Sequence, residues 1–277
     1  MKIGIVGLGL IGGSMAKSIK AHTDCTVWGF DINTETLNTA QLTGAIDETL
    51  SPDKFSECDI IMIAVPPAVT IEWVNENAPL LKGTVLIDLC GIKRLLHQPI
   101  AQKAAEYGFS YIGGHPMAGK EVSGFENASA TLFEGASMIL TPDSASIIDE
   151  LEYIKHFYLQ IGFDKVTFSN IEEHDRIISY TSQLAHITSS AYIKSPTAQR
   201  HFGFSAGSYK DMTRVAKLDE ELWTELMLGN ADFLKDELKL LIENLKNYLE
   251  ALENNDSESL KELLKEGRML KLTAGGD

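Results

Sequence analysis

Ile3-Gly4-Ile5-Val6-Gly7-Leu8-Gly9-Leu10-Ile11-Gly12 is the stretch that decides the fold. A short apolar run rich in Ile and Val passes into a Gly-x-Gly-x-x-Gly turn and then into a helix. With a strand before it and a helix after it, that spacing reads as a dinucleotide-binding turn. Gly7 allows the tight turn, Gly9 lets the backbone approach a pyrophosphate, and Gly12 lets helix and strand pack closely. Around them, Leu8, Leu10 and Ile11 belong to a helix start whose N–H groups and partial positive charge suit that anion. Nineteen residues after Gly12, at the end of the second apolar run, stands Asp31. An acid there accepts hydrogen bonds from an adenosine ribose and repels a 2′-phosphate. No basic residue occurs in 31–33, so the expected cofactor is NAD rather than NADP.

Outward from this turn, apolar runs recur at 27–30, 60–65, 85–89, 111–112, 138–140 and 166–168, with helix-like stretches between most of them. Continuous apolar strands alternating with helices predict an α/β fold, a Rossmann-type doubly wound and mainly parallel sheet, over 1–168. Val65-Pro66 and Asp88 close two of these runs. They fall at the carboxyl ends of strands, where open α/β sheets bind ligands, and are expected to face the cofactor. After Ser169 no strand-like run appears, and an all-helical domain is expected over 169–277. Its apolar residues Leu234, Leu238, Leu241, Leu245, Tyr248 and Leu252 follow steps of four and three, a heptad seam. The seam suits an intrachain helix pair or a homodimer interface equally well.

The chain has 277 residues, with Lys+Arg 24 against Asp+Glu 39 and a net charge of −15. So acidic a protein disfavours nucleic acid and anionic membranes as partners, and an anionic substrate would need a local cluster of cations. No apolar run approaches the ~20 residues of a membrane helix. Cys25, Cys58 and Cys90 lie in or beside apolar runs without metal-ligand spacing, which predicts structural thiols, no metal site and a cytoplasmic location.

Three segments carry chemistry. In Gly113-Gly114-His115-Pro116-Met117-Ala118-Gly119-Lys120-Glu121, the glycine pair and the proline predict a His on an irregular loop above the cofactor edge. His115 has the side chain whose ordinary pKa (~6.5) suits proton transfer near neutrality. In Gly207-Ser208-Tyr209-Lys210-Asp211-Met212-Thr213-Arg214, Lys210 and Arg214 are four apart and would share a helix face that receives carboxylates. His186, with Asp175, Ser179, Ser182 and Ser189, forms a small polar helix face suited to a ligand or to close packing. His22, His97, His156, His174 and His201 lack such context and are expected to be surface or structural.

Taken together, Gly-Leu-Gly-Leu-Ile-Gly-Gly-Ser at 7–14, Asp88 with Lys93, the His115 segment, His186 and Tyr209-Lys-Asp-Met-Thr-Arg214 resemble the prephenate dehydrogenase family, which includes arogenate dehydrogenases. The resemblance spans nearly the whole chain in order. It implies an NAD-dependent oxidative decarboxylation of prephenate to 4-hydroxyphenylpyruvate, with His115 as general base, and a homodimer formed through the helical domain. It also implies that Arg214 holds the side-chain carboxylate, that His186 lies near the ring carboxylate, and that Lys210 adds positive field, with Lys120 and Glu121 beside them. Two positions depart from the family pattern. A common Ser is replaced by Gly91, and many relatives carry Thr where Lys120 stands. Arogenate remains the alternative substrate. A related hydroxy-acid or imine dehydrogenase and a non-catalytic NAD-sensing module are the more distant readings.

Overall fold

The apolar runs become the strands of one sheet. The computed structural model describes residues 1–142 and 148–275. Within them the nucleotide half runs β1 (Lys2–Val6), α1 (Leu10–His22), β2 (Thr26–Phe30), α2 (Thr34–Leu42), β3 (Glu48–Thr49), β4 (Ile60–Ile63) and α3 (Pro67–Asn77). It continues through β5 (Val85–Asp88), α4 (Arg94–Tyr107), β6 (Ser110–Pro116), β7 (Ser137–Pro142), α5 (Ile148–Gln160) and β8 (Lys165–Phe168). The strand order is β3-β2-β1-β4-β5-β6-β7-β8, parallel throughout except between β6 and β7. The expected runs all form strands; the two-residue β3, with no apolar residue, is an addition at the edge.

Burial on both faces explains the unbroken Ile/Val runs. Ile60 and Met62 join one core with Ile3, Ile5, Met15 and Ile19, while Ile61 and Ile63 join the opposite core with Val6, Val74 and Leu86. The period of two therefore separates two apolar cores rather than an inside from an outside.

Beyond β8 the described residues form only helices and turns: α6 (Ile171–Ile178), a π-helical stretch (Ser179–Leu184), α7 (Ala185–Tyr192), α8 (Gly207–Thr213), α9 (Glu220–Gly229), α10 (Ala231–Glu253) and α11 (Ser257–Ala274). Asn170 starts α6 by accepting the Glu173 amide at 2.8 Å. By compactness the chain divides into Met1–Asn230 and Ala231–Asp277.

In the second unit α10 and α11 form a hairpin. The Tyr248 hydroxyl donates to the Leu263 carbonyl at 3.2 Å, and Asp256 caps α11 by accepting the Ser259 amide at 3.1 Å. Tyr248 thus leaves the predicted seam to serve the hairpin. Ile242, Leu245, Leu249 and Leu252 stay 45–59% exposed at steps of three, four and three. No helix among the described residues is long and apolar enough to cross a membrane.

Candidate active site

The glycine turn has the geometry its spacing predicts. Gly7 adopts φ +85°, and a side chain there would press on Val65 and the Ala64 carbonyl. A methyl at Gly12 would overlap the Gly7 carbonyl, so helix and turn touch backbone to backbone. Nothing lies within 4 Å of a Cβ built on Gly9, and among the described residues no side chain caps α1 there. The first amides of α1, at Leu10 and Ile11, are thereby left for an anion. Asp31 closes the turn from the end of β2: one carboxylate oxygen accepts the Leu8 amide at 2.8 Å, the other the Asn33 amide at 2.8 Å. Each oxygen keeps a lone pair for a ribose hydroxyl, so these residues fit a dinucleotide. Leu8 itself is turned into the core, and its part is to hold Asp31 in place. Pro66 precedes α3, whose Ala68 amide is taken by Glu225 of α9 at 2.5 Å.

Asp88 does not face a cofactor with its side chain. It is fully buried, accepts the Tyr111 hydroxyl at 2.8 Å and the Cys90 amide at 3.0 Å, and pairs with the buried Lys93 ammonium. Burial, and then the Asp88 carboxylate, push the Tyr111 phenol well above its ordinary pKa. Lys93 also donates to the Gly114 carbonyl at 2.6 Å. A side chain on Gly113 would collide with Lys93 and Thr141, and one on Gly114 with the Asp88 carbonyl. Gly113 makes room for the Lys93 side chain and Gly114 for the Asp88 carbonyl, and the pair lies in a strand rather than a loop.

His115 accordingly stands in strand β6, not on an irregular loop. β5 pairs with β6 as far as Gly113, and β7, running antiparallel, extends the ladder through Gly114 opposite Leu140 and His115 opposite Ile139. The antiparallel neighbour carries strand geometry past the point where the parallel partner ends. His115 Nδ1 lies 2.9 Å from His174 Nε2, and His174 Nδ1 lies 2.7 Å from Asp175 Oδ1. Burial lowers the His115 pKa well below its ordinary value, helped by His174 and the Lys93 ammonium. For His174, burial and Lys93 outweigh the raising effect of Asp175. Burial opposes ionisation of Asp175, but hydrogen bonds from His174 and from the Arg94 and Lys93 amides hold its pKa below the usual carboxylate range. A carboxylate accepts, so His174 carries its proton on Nδ1 and receives the His115 Nδ1–H on Nε2. The lone pair of His115 is left on Nε2, 3.9 Å from where a Cβ on Gly91 would sit.

A second cluster brings together three of the expected substrate residues, Arg214, Glu121 and His186. Arg214 pairs with Glu121, and His186 feels both charges: its pKa is lowered first by burial and further by Arg214, against the Ser182 carbonyl and Glu121. His186 Nδ1 lies 2.9 Å from the Ser182 carbonyl, and the ring stacks on Trp223 with centroids 3.7 Å apart. Lys210 and Arg214 do not share one regular helix face. Helix α8 ends at Thr213, and Arg214 opens a tighter turn over Arg214–Ala216. Lys210 and Lys120 are both exposed. On the predicted polar face, Asp175, Ser179 and Ser189 are buried, and Ser182 and His186 are half-buried.

Two stretches of chain feed both clusters. The segment leaving β6 carries His115 and, six residues on, Glu121; the helical run 171–192 carries His174 and His186. His174 was set aside by sequence reasoning as surface or structural, and Asp175 was read only as part of the polar face around His186. Their signal is a His-Asp pair at the fourth and fifth residues of a capped helix, directly behind the last strand.

Comparison with known proteins agrees with this architecture. The family model of the prephenate dehydrogenase nucleotide-binding domain matches residues 15–166, and that of its dimerization domain matches residues 170–266. A prephenate dehydrogenase of Lactococcus lactis is 32% identical over 98% of this chain and 76% of its own length. A cyclohexadienyl dehydrogenase of Zymomonas mobilis is 31% identical over 99% of this chain and 96% of its own. The crystal structure of prephenate dehydrogenase from A. aeolicus, in complex with hydroxyphenyl propionate and NAD+, superposes with a TM-score of 0.85 at 28% identity, covering 99% of this chain and 98% of that one. With both halves matched, in order and nearly end to end, the chain belongs to the prephenate dehydrogenase family.

Proposed function

We propose that the protein is an NAD-dependent dehydrogenase that converts prephenate to 4-hydroxyphenylpyruvate, with His115 as the general base. The observation that carries this reading is the half-buried His115 imidazole, whose Nδ1 lies 2.9 Å from His174 and whose Nε2 faces the Gly91 space, six residues upstream of the carboxylate that pairs Arg214. NAD+, when bound, supplies the acceptor for the hydride leaving C4 of the substrate. The uncapped start of α1, with Gly7, Gly9 and Gly12, would hold its pyrophosphate, and Asp31 its ribose. His115 takes the C4 hydroxyl proton on Nε2 as the carbonyl forms. Loss of the ring carboxylate as CO2 then sends its electron pair through the ring to the C4 oxygen, which takes a proton back from His115 and ends as a phenol hydroxyl. Arg214 receives the side-chain carboxylate, and His186, steadied by Trp223, lies at the ring carboxylate. Gly91 leaves the space beside Nε2 to the substrate hydroxyl. The name of the second family domain and the apolar face of α10 support a homodimer.

The test is a steady-state comparison of prephenate and arogenate with NAD+ and NADP+, for the wild type and for His115→Asn. We expect prephenate with NAD+ to be preferred and turnover to fall about 10²–10⁴-fold in the variant, with substrate still bound. Unchanged turnover in His115→Asn would remove the base, and a preference for arogenate would reassign the substrate.

A further inference from the structure

We propose that His174, held by Asp175, is a positioning residue for the base: it fixes His115 in the Nδ1–H tautomer and thereby reserves Nε2 as the proton acceptor. The inference rests on the reading of His115 as the base and adds what makes that base competent. A neutral imidazole has two tautomers, and only one leaves Nε2 able to accept. Nothing in the His115 side chain itself chooses between them. The choice is made by the partner 2.9 Å from Nδ1, His174 Nε2. That atom is an acceptor because the proton of His174 is on its other nitrogen, facing Asp175 Oδ1 at 2.7 Å.

The carboxylate at the end of this line is held on every side. Its Oδ1 also accepts the Lys93 amide at 2.8 Å, and its Oδ2 accepts the Arg94 amide at 2.9 Å, with the Arg94 guanidinium 3.4 Å away. Asp175 therefore caps α4 while orienting His174. Its own carbonyl accepts the buried Asn230 amide at 2.8 Å, and Asn230 also donates to Gln183 at 2.9 Å. Gln183 donates in turn to the Leu226 carbonyl at 2.9 Å, and the Leu226 side chain borders the Gly91 space that His115 Nε2 faces. A loose carboxylate could swing away from His174; this one has no freedom to do so.

A merely structural histidine would move stability and leave the tautomer alone, so the tautomer is the quantity to read. In ¹⁵N-histidine spectra of the substrate-free wild type, His115, assigned by its loss in His115→Asn, should show a protonated Nδ1 and a bare Nε2. A bare Nδ1 in the wild type overturns the proposal without any further variant. His174→Phe keeps the ring volume and removes the acceptor. It should mix the two tautomers and lower kcat about 10- to 100-fold with KM changed less than threefold, the range typical of lost outer-shell partners. His174→Gln, which restores an acceptor oxygen, should recover most of that loss. Wild-type kcat and an unmixed tautomer in His174→Phe would overturn the proposal. If His174→Phe does not fold, His174→Leu, which also lacks an acceptor, takes its place: a tautomer mixture together with lowered kcat supports the role, and neither change overturns it. The base reading fails separately, by a His115→Asn variant that still turns over.

Discussion

On the proposed reading, Arg214 answers the charge problem posed by a chain of net charge −15. Its guanidinium is two-thirds exposed and engaged by the Glu121 carboxylate, so an acidic substrate meets a cation that is already oriented. Binding of that kind is common to ground and transition states. Arg214→Ala should therefore raise KM about 10- to 100-fold, the worth of a charged hydrogen bond of ~1.5–3 kcal/mol, with kcat nearly unchanged. Steady-state kinetics read this directly, and a loss confined to kcat would contradict it. His115 makes a prediction of opposite kind. Its folded pKa is depressed, so the imidazole stays neutral through the neutral range, and activity should persist below pH 6.5 and fall only as pH drops through the lowered value. A kcat/KM profile whose acid limb lies above 6.5 would refute this. His115 and Glu121 in one short motif, Arg214 in another and His186 on a polar helix face could be named as candidates from the sequence. His174 could not, since a single His beside an Asp on a helix looks the same whether it lies in solvent or 2.9 Å from another imidazole.

Strand β6 shows what an element-level reading misses. Gly113-Gly114-His115-Pro116 carries every local mark of a turn, yet it forms a ladder with β7, because pairing is decided by a neighbour more than twenty residues away. Gly113 leaves room for the Lys93 side chain, whose ammonium donates to the Gly114 carbonyl. Lys93 and Asp88 are both almost fully buried, and each is the other's only opposite charge in contact among the described residues. Lys93→Met would leave the Asp88 carboxylate with the Tyr111 hydroxyl and the Cys90 amide alone. Removing one member of such a pair costs about 3–5 kcal/mol. Urea unfolding should show that loss, and pairing Lys93→Met with Asp88→Asn should return part of it, because the unpaired charge is then gone. Equal stability in wild type and Lys93→Met would mean that the ammonium contributes nothing to folding. The sheet was legible because its strands are buried on both faces and therefore continuously apolar. The two-residue β3 was not, since Glu48–Thr49 holds no apolar residue to mark it.

For the whole molecule, the sequence offered two partners for the heptad seam; the structure gives Tyr248 to the hairpin and leaves Leu245 and Leu252 exposed beside Ile242 and Leu249, which lie outside the seam. Tyr248 closes the α10–α11 hairpin, whereas Ile242, Leu245, Leu249 and Leu252 present a face that the hairpin does not cover. Two chains of charge −15 repel, so association must draw on apolar area and should tighten as salt screens that repulsion. In a two-fold interface each residue is buried twice. Leu245→Glu together with Leu249→Glu would then remove four buried leucines, at ~1.5–3 kcal/mol each. The dissociation constant should weaken about 10⁴-fold or more, enough to leave monomer at micromolar concentration. Sedimentation equilibrium would follow the change, with helix content by circular dichroism to show that the hairpin persists. A double variant that sediments as a dimer, or a wild type whose association loosens with added salt, would place the interface on another surface.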